Sequence, residues 1–240
     1  MAVKRSRSAG RMLVVFEAIA SAQPIGVSAL ARRLDANKSA VQRDLMTLAD
    51  AGWIRLAPGA AAQWELAPHV LTLARPPHSS ERLRQRARPL LEQLRAETGE
   101  TAYLTMPDGD HFVVIDAAES FQMLRMVPPV GIVIPMEGSA TARAILPHLG
   151  AQEQGRLLGG QATAALEREL AAIRERGYAV NDGEIEPSAV AMAAAVLDRN
   201  GVPVGTLVLT GPGERLRGER RAELGAKLKA AAEQLSAAAG

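Results

Sequence analysis

The sequence predicts an α+β protein of two domains: a small helical N-terminal domain ending in a β-hairpin, and a larger C-terminal domain of antiparallel strands with flanking helices. Three observations predict it. Residues 26 to 56, GVSALARRLDANKSAVQRDLMTLADAGWIRL, read as two short helices joined by a tight turn and followed by a strand, the order of a winged helix-turn-helix. The stretch Arg75-Pro76-Pro77-His78-Ser79-Ser80 is the clearest linker in the chain, because its prolines and serines continue neither a helix nor a sheet. Beyond Gly99, helical spacing gives way to short apolar runs separated by turn sequences. The domains are placed at 1–76 and 99–240, with a linker and linker helix at 77–98.

Helix one is expected from Met12 to Ser21, with Leu13, Phe16, Ala20, Glu17 and Ile19 on its inner side, and Pro24 ends it. The next helix carries Val27, Leu30, Ala31 and Leu34 on one face and ends near Asp35. A further helix repeats Val41, Leu45 and Leu48, with Asn37 as N-cap and Gly52 just past its end. At 100° per residue that core face turns Ser39, Arg43 and Met46 to the opposite side and Gln42 and Thr47 to the flanks. Polar side chains, a guanidinium and an apolar group near a helix N-terminus are what base edges in a major groove require. Lys38 suits a phosphate. Trp53–Leu56, the turn Ala57-Pro58-Gly59 and Gln63–Leu66 form the wing, where Arg55 reaches a flanking phosphate.

A helical hairpin with a solvated polar side shares the two stripes. The wing and the charge distribution argue for DNA instead. Residues 1–77 carry 10 Lys or Arg against 5 Asp or Glu, whereas the remainder carries 18 against 21. The basic excess therefore sits with the helix-turn-helix, where counterion release supplies sequence-independent affinity. Lys4, Arg5 and Arg7 form a basic arm or a solvated tail.

After the wing, Pro68–Ala74 reads as one or two helical turns. From Glu81 to Glu100 a helical face of Leu83, Ala87, Leu90, Leu91 and Leu94 resumes, with a new helix expected to start at Pro89. Arg82, Arg84, Arg86, Arg88 and Arg95 read as its solvated face. Strands follow at Thr101–Met106 and His111–Ala117, joined by Pro107-Asp108-Gly109-Asp110, with a third at Gln122–Val127. Helices at Ser139–Leu149 and Leu166–Arg176, strands at Tyr178–Val180, Val190–Leu197 and Pro203–Thr210, and a closing helix Glu214–Ala239 complete the domain.

Composition narrows the function. The chain has 240 residues, 48% hydrophobic and 22% charged, enough for two ordinary cores. No apolar run approaches the roughly 18 residues that span a bilayer, and MAVKRSRSAGR lacks a signal's apolar stretch, so a cytoplasmic protein without a membrane partner is expected. The absence of cysteine excludes disulfides and thiolate chemistry. Asp108, Asp110 and His111 are better explained as a turn than as a metal or acid-base cluster, Ser139 lacks a G-x-S-x-G elbow, and neither His69 nor His148 has a catalytic partner in view. The expectation is no enzyme, no cofactor and no metal. The loop Glu137-Gly138-Ser139-Ala140-Thr141, opening a helix, offers amides and hydroxyls to an anionic or hydroxylated ligand, with Ile132, Ile134, Met136, Met192 and Leu207 as apolar walls.

Four segments in order, KSAVQRDLMTLADAGWI, ARPLLEQLRAETGET, RMVPPVGIVIPMEGSATARAIL and RGYAVNDGEIEPSAVAMAAAVLDRNGVPVGTLVLTGPGERL, resemble the IclR (isocitrate lyase regulator) family of bacterial transcription factors. With their spacers they cover nearly the whole chain. The resemblance implies a winged helix that dimerises, a linker helix, a GAF-like domain that binds a small organic acid or aromatic effector, and double-stranded operator DNA bound by a dimer or a dimer of dimers. It places the recognition residues at Lys38, Ser39, Ala40, Gln42 and Arg43. It places the effector pocket at Gly138, Ser139, Ala140 and Thr141, at Asn181, Asp182 and on to Glu184, around Ala191, and at Thr210. Asn181 stands where the family often has aspartate, Ala191 where it has cysteine, Ala195 where it has proline, and Glu137 where histidine is common.

Overall fold

In the computed structural model, residues 6–59, 61–73, 78–160 and 162–239 are described. The chain divides into two compact units, Met1–Pro76 and Pro77–Gly240. Arg75, Pro76 and Pro77 of the proline-rich linker, and Lys4 and Arg5 of the basic arm, lie outside the described residues, and His78–Ser80 of that linker form the start of a helix.

Unit 1 runs α1 (Arg7–Ala22), β1 (Ile25–Gly26), α2 (Val27–Arg33), α3 (Lys38–Asp50), β2 (Ile54–Leu56), β3 (Gln63–Leu66) and α4 (Val70–Leu73). Its described strands form an antiparallel sheet in the order β1-β3-β2. Val15, Ile19, Leu30, Val41, Leu45 and Ile54 make the core where the three helices meet the sheet. The inner face of α1 differs from expectation. Val15, Ala18 and Ile19 are buried, with Met12, Phe16 and Ala22 packed beside them, while Leu13 is 63% exposed and Glu17 and Ala20 face solvent, because the i, i+3, i+4 stripe through Val15 passes over neither Leu13 nor Glu17. The turn between α2 and α3 places Asp35 at φ 46, a left-handed conformation that a short polar side chain tolerates.

Unit 2 comprises α5 (His78–Thr98), β4 (Thr101–Asp108), β5 (His111–Ala118), β6 (Val133–Ile134), α6 (Ala140–Ile145), a 3-10 turn (Leu146–His148), α7 (Ala151–Leu158), α8 (Ala164–Arg176), β7 (Ala179–Asp182), β8 (Ala189–Leu197), β9 (Pro203–Pro212), α9 (Gly213–Leu216) and α10 (Arg220–Ala239). Its described strands form a six-stranded sheet in the order β6-β5-β4-β9-β8-β7. Every pairing is antiparallel.

Strand alternation divides the side chains between two layers. Leu104, Val190, Met192, Leu207 and Leu209 face one side, where Leu91 of α5 and Leu224, Leu228 and Leu235 of α10 close over them. Tyr103, Ala193 and Val208 face the other, against Ala140 and Ala144 of α6 and Leu170 and Ile173 of α8. Two glycines allow close approach. A Cβ on Gly205 would lie 2.5 Å from the Thr105 carbonyl oxygen, and one on Gly225 would enter the Tyr178 ring.

Several expectations are corrected here. Pro89 lies inside a continuous α5, not at a new start. Pro89 is exposed and removes the donor that would bond the carbonyl of Gln85, itself an exposed residue, while buried Leu83, Ala87, Leu90 and Leu91 hold both halves on the sheet. No strand forms at Gln122–Val127. Its residues precede Pro128-Pro129, which donate no ladder bonds, and the edge position beside β5 is taken by Val133 and Ile134. The helix expected at Ser139–Leu149 tightens into a 3-10 turn where Pro147 removes a donor. The closing helix is broken between α9 and α10, where Gly218 has φ 68. Helix α7 was not expected, and none of its side chains is buried, so no apolar stripe announces it. Among the described residues, no helix is long and apolar enough to cross a membrane.

Candidate functional site

The N-terminus of α3 is built by Asn37, whose side chain accepts from the Ser39 amide at 2.9 Å. Val41, Leu45 and Leu48 are buried, and Lys38, Ser39, Gln42, Arg43 and Thr47 are exposed, with Met46 46% exposed and Ala40 half-buried. Ser39 donates its hydroxyl to Asn37 at 2.7 Å, and Thr47 donates to the Arg43 carbonyl at 3.0 Å, so both retain only acceptor capacity outward.

Among the described residues, the side chains of Lys38, Gln42 and Arg43 have no partner. The nearest acid on α3, Asp44, is turned inward and is only 4% exposed. Arg11 of α1 holds it bidentately at 2.7 and 3.0 Å, which pins α1 to α3 and cancels its charge. Arg55 has a partner within the wing. It pairs across the sheet with Glu65 at 2.7 Å, so its charge is balanced within the hairpin.

Unit 2 holds a cavity of about 330 Å³ on the α6 side of the sheet. Tyr103, Ala191 and Thr210 form its floor from β4, β8 and β9. Ser139, Ala140 and Thr141 open α6 at one wall and Asn181 of β7 stands beside them. Segments 126–134 and 185–189 supply Met126, Val127, Pro128, Pro129, Ile132, Ile134, Ile185, Glu186 and Ala189.

Of the expected pocket residues, the structure brings Ser139, Ala140, Thr141, Asn181, Ala191 and Thr210 together. It leaves out the others, Glu184 among them, which pairs with Arg143. Met136 packs into the core beside Phe112 and Ile145. Gly138 sits behind Asn181, accepting its amide through the backbone carbonyl. Asp182, one residue along β7, points to the opposite face by strand alternation and pairs with Arg221 and with Arg217. Those arginines hold the Asp182 carboxyl below the usual carboxylate range. Met192 and Leu207 fail as walls for the same parity reason. Tyr103, the 126–129 stretch and Ile185–Ala189 were missed.

The polar groups of the cavity are few. Ser139 caps α6 by accepting from the Ala142 amide at 3.1 Å, and Thr210 donates to the Val190 carbonyl at 3.2 Å. The Tyr103 phenol, 5% exposed, and the Thr141 hydroxyl, 2% exposed, have no hydrogen-bond partner among the described residues. Burial pushes the Tyr103 phenol up, so it stays protonated. Asn181 must turn its NH2 to the Gly138 carbonyl, since two oxygens would repel, and this leaves its Oδ1 for the cavity. The cation on α6, Arg143, is committed to Glu184, to Glu169 at 3.6 Å and to the Val180 carbonyl at 3.1 Å.

The candidates for catalysis do not assemble. Among the described residues, no group of three His, Cys, Asp or Glu side chains is placed to hold a metal. His111 contacts Asp110 at 3.1 Å within an exposed turn. Burial and then Arg174 push the His148 imidazole down. His69 binds the Gly52 carbonyl at 2.7 Å and packs edge-on against Trp53.

Comparison with known proteins bears on both units. The family model for the bacterial transcriptional regulator IclR C-terminal domain matches residues 78–237, and a second model, HVO_A0114, matches residues 10–66. The acetate operon repressor of Salmonella typhimurium is 28% identical, with 98% of this chain and 90% of that protein covered. The transcriptional repressor IclR of Escherichia coli is 27% identical over the same shares. An IclR homologue from Microbacterium hydrocarbonoxydans, crystallised in complex with 4-hydroxybenzoate, superposes with a TM-score of 0.76 at 20% identity, covering 96% of this chain and 99% of that one. The 160-residue C-terminal match spans more than half of the sequence, and the chain belongs to the IclR family of bacterial transcriptional regulators.

Proposed function

We propose that this regulator binds a pseudopalindromic operator as a dimer and adjusts that binding to a small organic effector, an acid or an aromatic compound, held in the cavity of unit 2. In this reading residues 1–76 are a winged helix-turn-helix with α3 in the major groove, residues 77–98 a linker and linker helix, and residues 99–240 a GAF-like effector domain. The protein acts in the cytoplasm, as a dimer or a dimer of dimers.

The observation that carries the reading is the charge of the outward face of α3. Lys38 and Arg43 stand there without a carboxylate, because Asp44 faces inward to Arg11. Arg43 and Gln42 are then available to bidentate acceptor and donor pairs on base edges, and Lys38 to a phosphate. Two such helices related by a two-fold axis require half-sites about one helical turn, roughly 34 Å, apart. Arg55, balanced by Glu65, is left for a secondary backbone contact through its remaining guanidinium N–H groups.

Selection of bound oligonucleotides from a random duplex pool tests the reading, with an inverted repeat as the expected result. Recovery of no motif, together with binding abolished by moderate salt, supports a nonspecific nucleic-acid binder without effector sensing.

A further inference from the structure

We propose that the unit 2 cavity selects an uncharged, hydroxyl-bearing molecule of single-ring size over its carboxylate counterpart, with Tyr103, Thr141 and Asn181 as the selecting residues. The proposal rests on the effector-sensing reading above and narrows it.

Three residues, each more than nine-tenths buried, bring a polar group to one apolar cavity: Tyr103 its phenol, Thr141 its hydroxyl and Asn181 its carbonyl oxygen. Buried polar groups are ordinarily satisfied, and three without a protein partner facing one space mark where a ligand completes the bonding. Their chemistry specifies the ligand. Asn181 presents only an acceptor there, since its NH2 is held by Gly138, so it requires a donor and repels the lone pairs of a carboxylate. Thr141 and Tyr103 each donate or accept. A single ligand hydroxyl can donate to Asn181 and accept from Thr141 or Tyr103.

Charge points the same way. Among the described residues, no Lys, Arg or His lines the cavity, and the one charged side chain in its wall is Glu186. Arg143, nearest in sequence to the polar wall, already faces two glutamates and a backbone carbonyl. Arg125, next to Met126, is exposed and donates to the Gln122 carbonyl at 3.4 Å. A carboxylate entering here loses its hydration without gaining a cation, and the dipole of a six-residue helix is only a partial replacement. The remaining walls, Ile132, Ile134, Pro128 and Pro129 among them, suit an apolar body, and about 330 Å³ is at the small end of ligand sites.

Isothermal titration calorimetry on the full chain, with methyl 4-hydroxybenzoate, 4-hydroxybenzoate and methyl benzoate as probes, tests this. The neutral hydroxylated ester is expected to bind at least about tenfold more tightly than the acid, and about tenfold more tightly than the ester without the hydroxyl. In the Tyr103→Phe, Thr141→Val double variant, checked for an unchanged far-UV spectrum, the preference for the hydroxylated ester is expected to fall severalfold, to what Asn181 alone supplies by accepting from its hydroxyl, and a preference that stays at tenfold overturns the roles of Tyr103 and Thr141. An acid that binds as tightly as its ester overturns the proposal and leaves effector sensing standing. Equal binding of the two esters by the unaltered protein also overturns it. If none of the three probes binds or shifts the melting temperature, the effector reading of the cavity falls, and this proposal falls with it.

Discussion

The outward face of α3 and the cavity of unit 2 are opposites as recognition surfaces. The first lies on one 13-residue helix, is convex and exposed, and carries uncompensated positive charge. The second is concave, almost wholly apolar and, among the described residues, without a cation, and it is assembled from strands β4, β7, β8 and β9, the start of α6 and two irregular segments. A surface facing a polyanion can leave its charges to water until the partner arrives. A surface that must hold a small molecule away from water can afford few polar groups, and each of them then selects. If the proposed function holds, affinity for the larger partner is electrostatic, whereas discrimination of the smaller is a matter of unpaired hydrogen bonds.

The largest expected effects break one region and spare the other. Leu45 is fully buried at the centre of unit 1, and Leu45→Ala should destabilise that unit by about 2–5 kcal/mol. Calorimetry should then show an earlier transition and weakened DNA binding, with binding of the cavity ligand unchanged. The converse is Gly225→Ala, whose methyl enters the Tyr178 ring and should cost unit 2 about 1–3 kcal/mol while unit 1 melts as before.

Smaller effects sharpen the comparison within unit 1. Arg43→Ala should lose about 1–3 kcal/mol of discrimination at one base pair, seen as a degenerate position in the selected motif. Lys38→Ala should weaken all sequences alike and lower the salt slope by about 1. Equal losses of specificity from the two would contradict the roles assigned to them.

The smallest effect lies beside the cavity. Asp182 is held low, first by Arg221 and then by Arg217, so its pairing stabilises the fold above the ordinary carboxylate range and is lost as pH falls through the lowered value. The melting temperatures of the protein and of Asp182→Asn should therefore differ at neutral pH and converge below about pH 4. A gap that persists in acid would show that the ion pair is not its source.

The same contrast explains what could be read before the structure. The α3 face follows from a single helical period, so Val41, Leu45 and Leu48 inward and Ser39, Gln42 and Arg43 outward were legible from spacing alone. The inward turn of Asp44 was not drawn from that period, and its partner Arg11, 33 residues earlier, lies beyond the reach of any local pattern. In the cavity, Ser139 to Thr141, Asn181, Ala191 and Thr210 were placed by family resemblance. Tyr103 was missed because facing depends on strand register, a nonlocal property. The register pairs Thr210 with both Ala191 and Thr101, which puts Tyr103, two residues on, on the same face. That parity also excludes Met192, Leu207 and Asp182. The 126–129 and 185–189 segments have no period, and only tertiary folding brings them over the floor.

On the proposed function, occupancy of the unit 2 cavity changes DNA binding by unit 1. The direct test is the affinity of the protein for its selected inverted-repeat duplex, measured with and without a saturating concentration of the tightest-binding probe, in the unaltered chain and in Ala191→Phe. The phenylalanine fills the cavity from its floor. The prediction is a change of about 5- to 150-fold in the unaltered protein and none in Ala191→Phe, which should still bind the duplex. An equal change in both proteins, or no change in the unaltered protein while the probe is bound, would contradict the account.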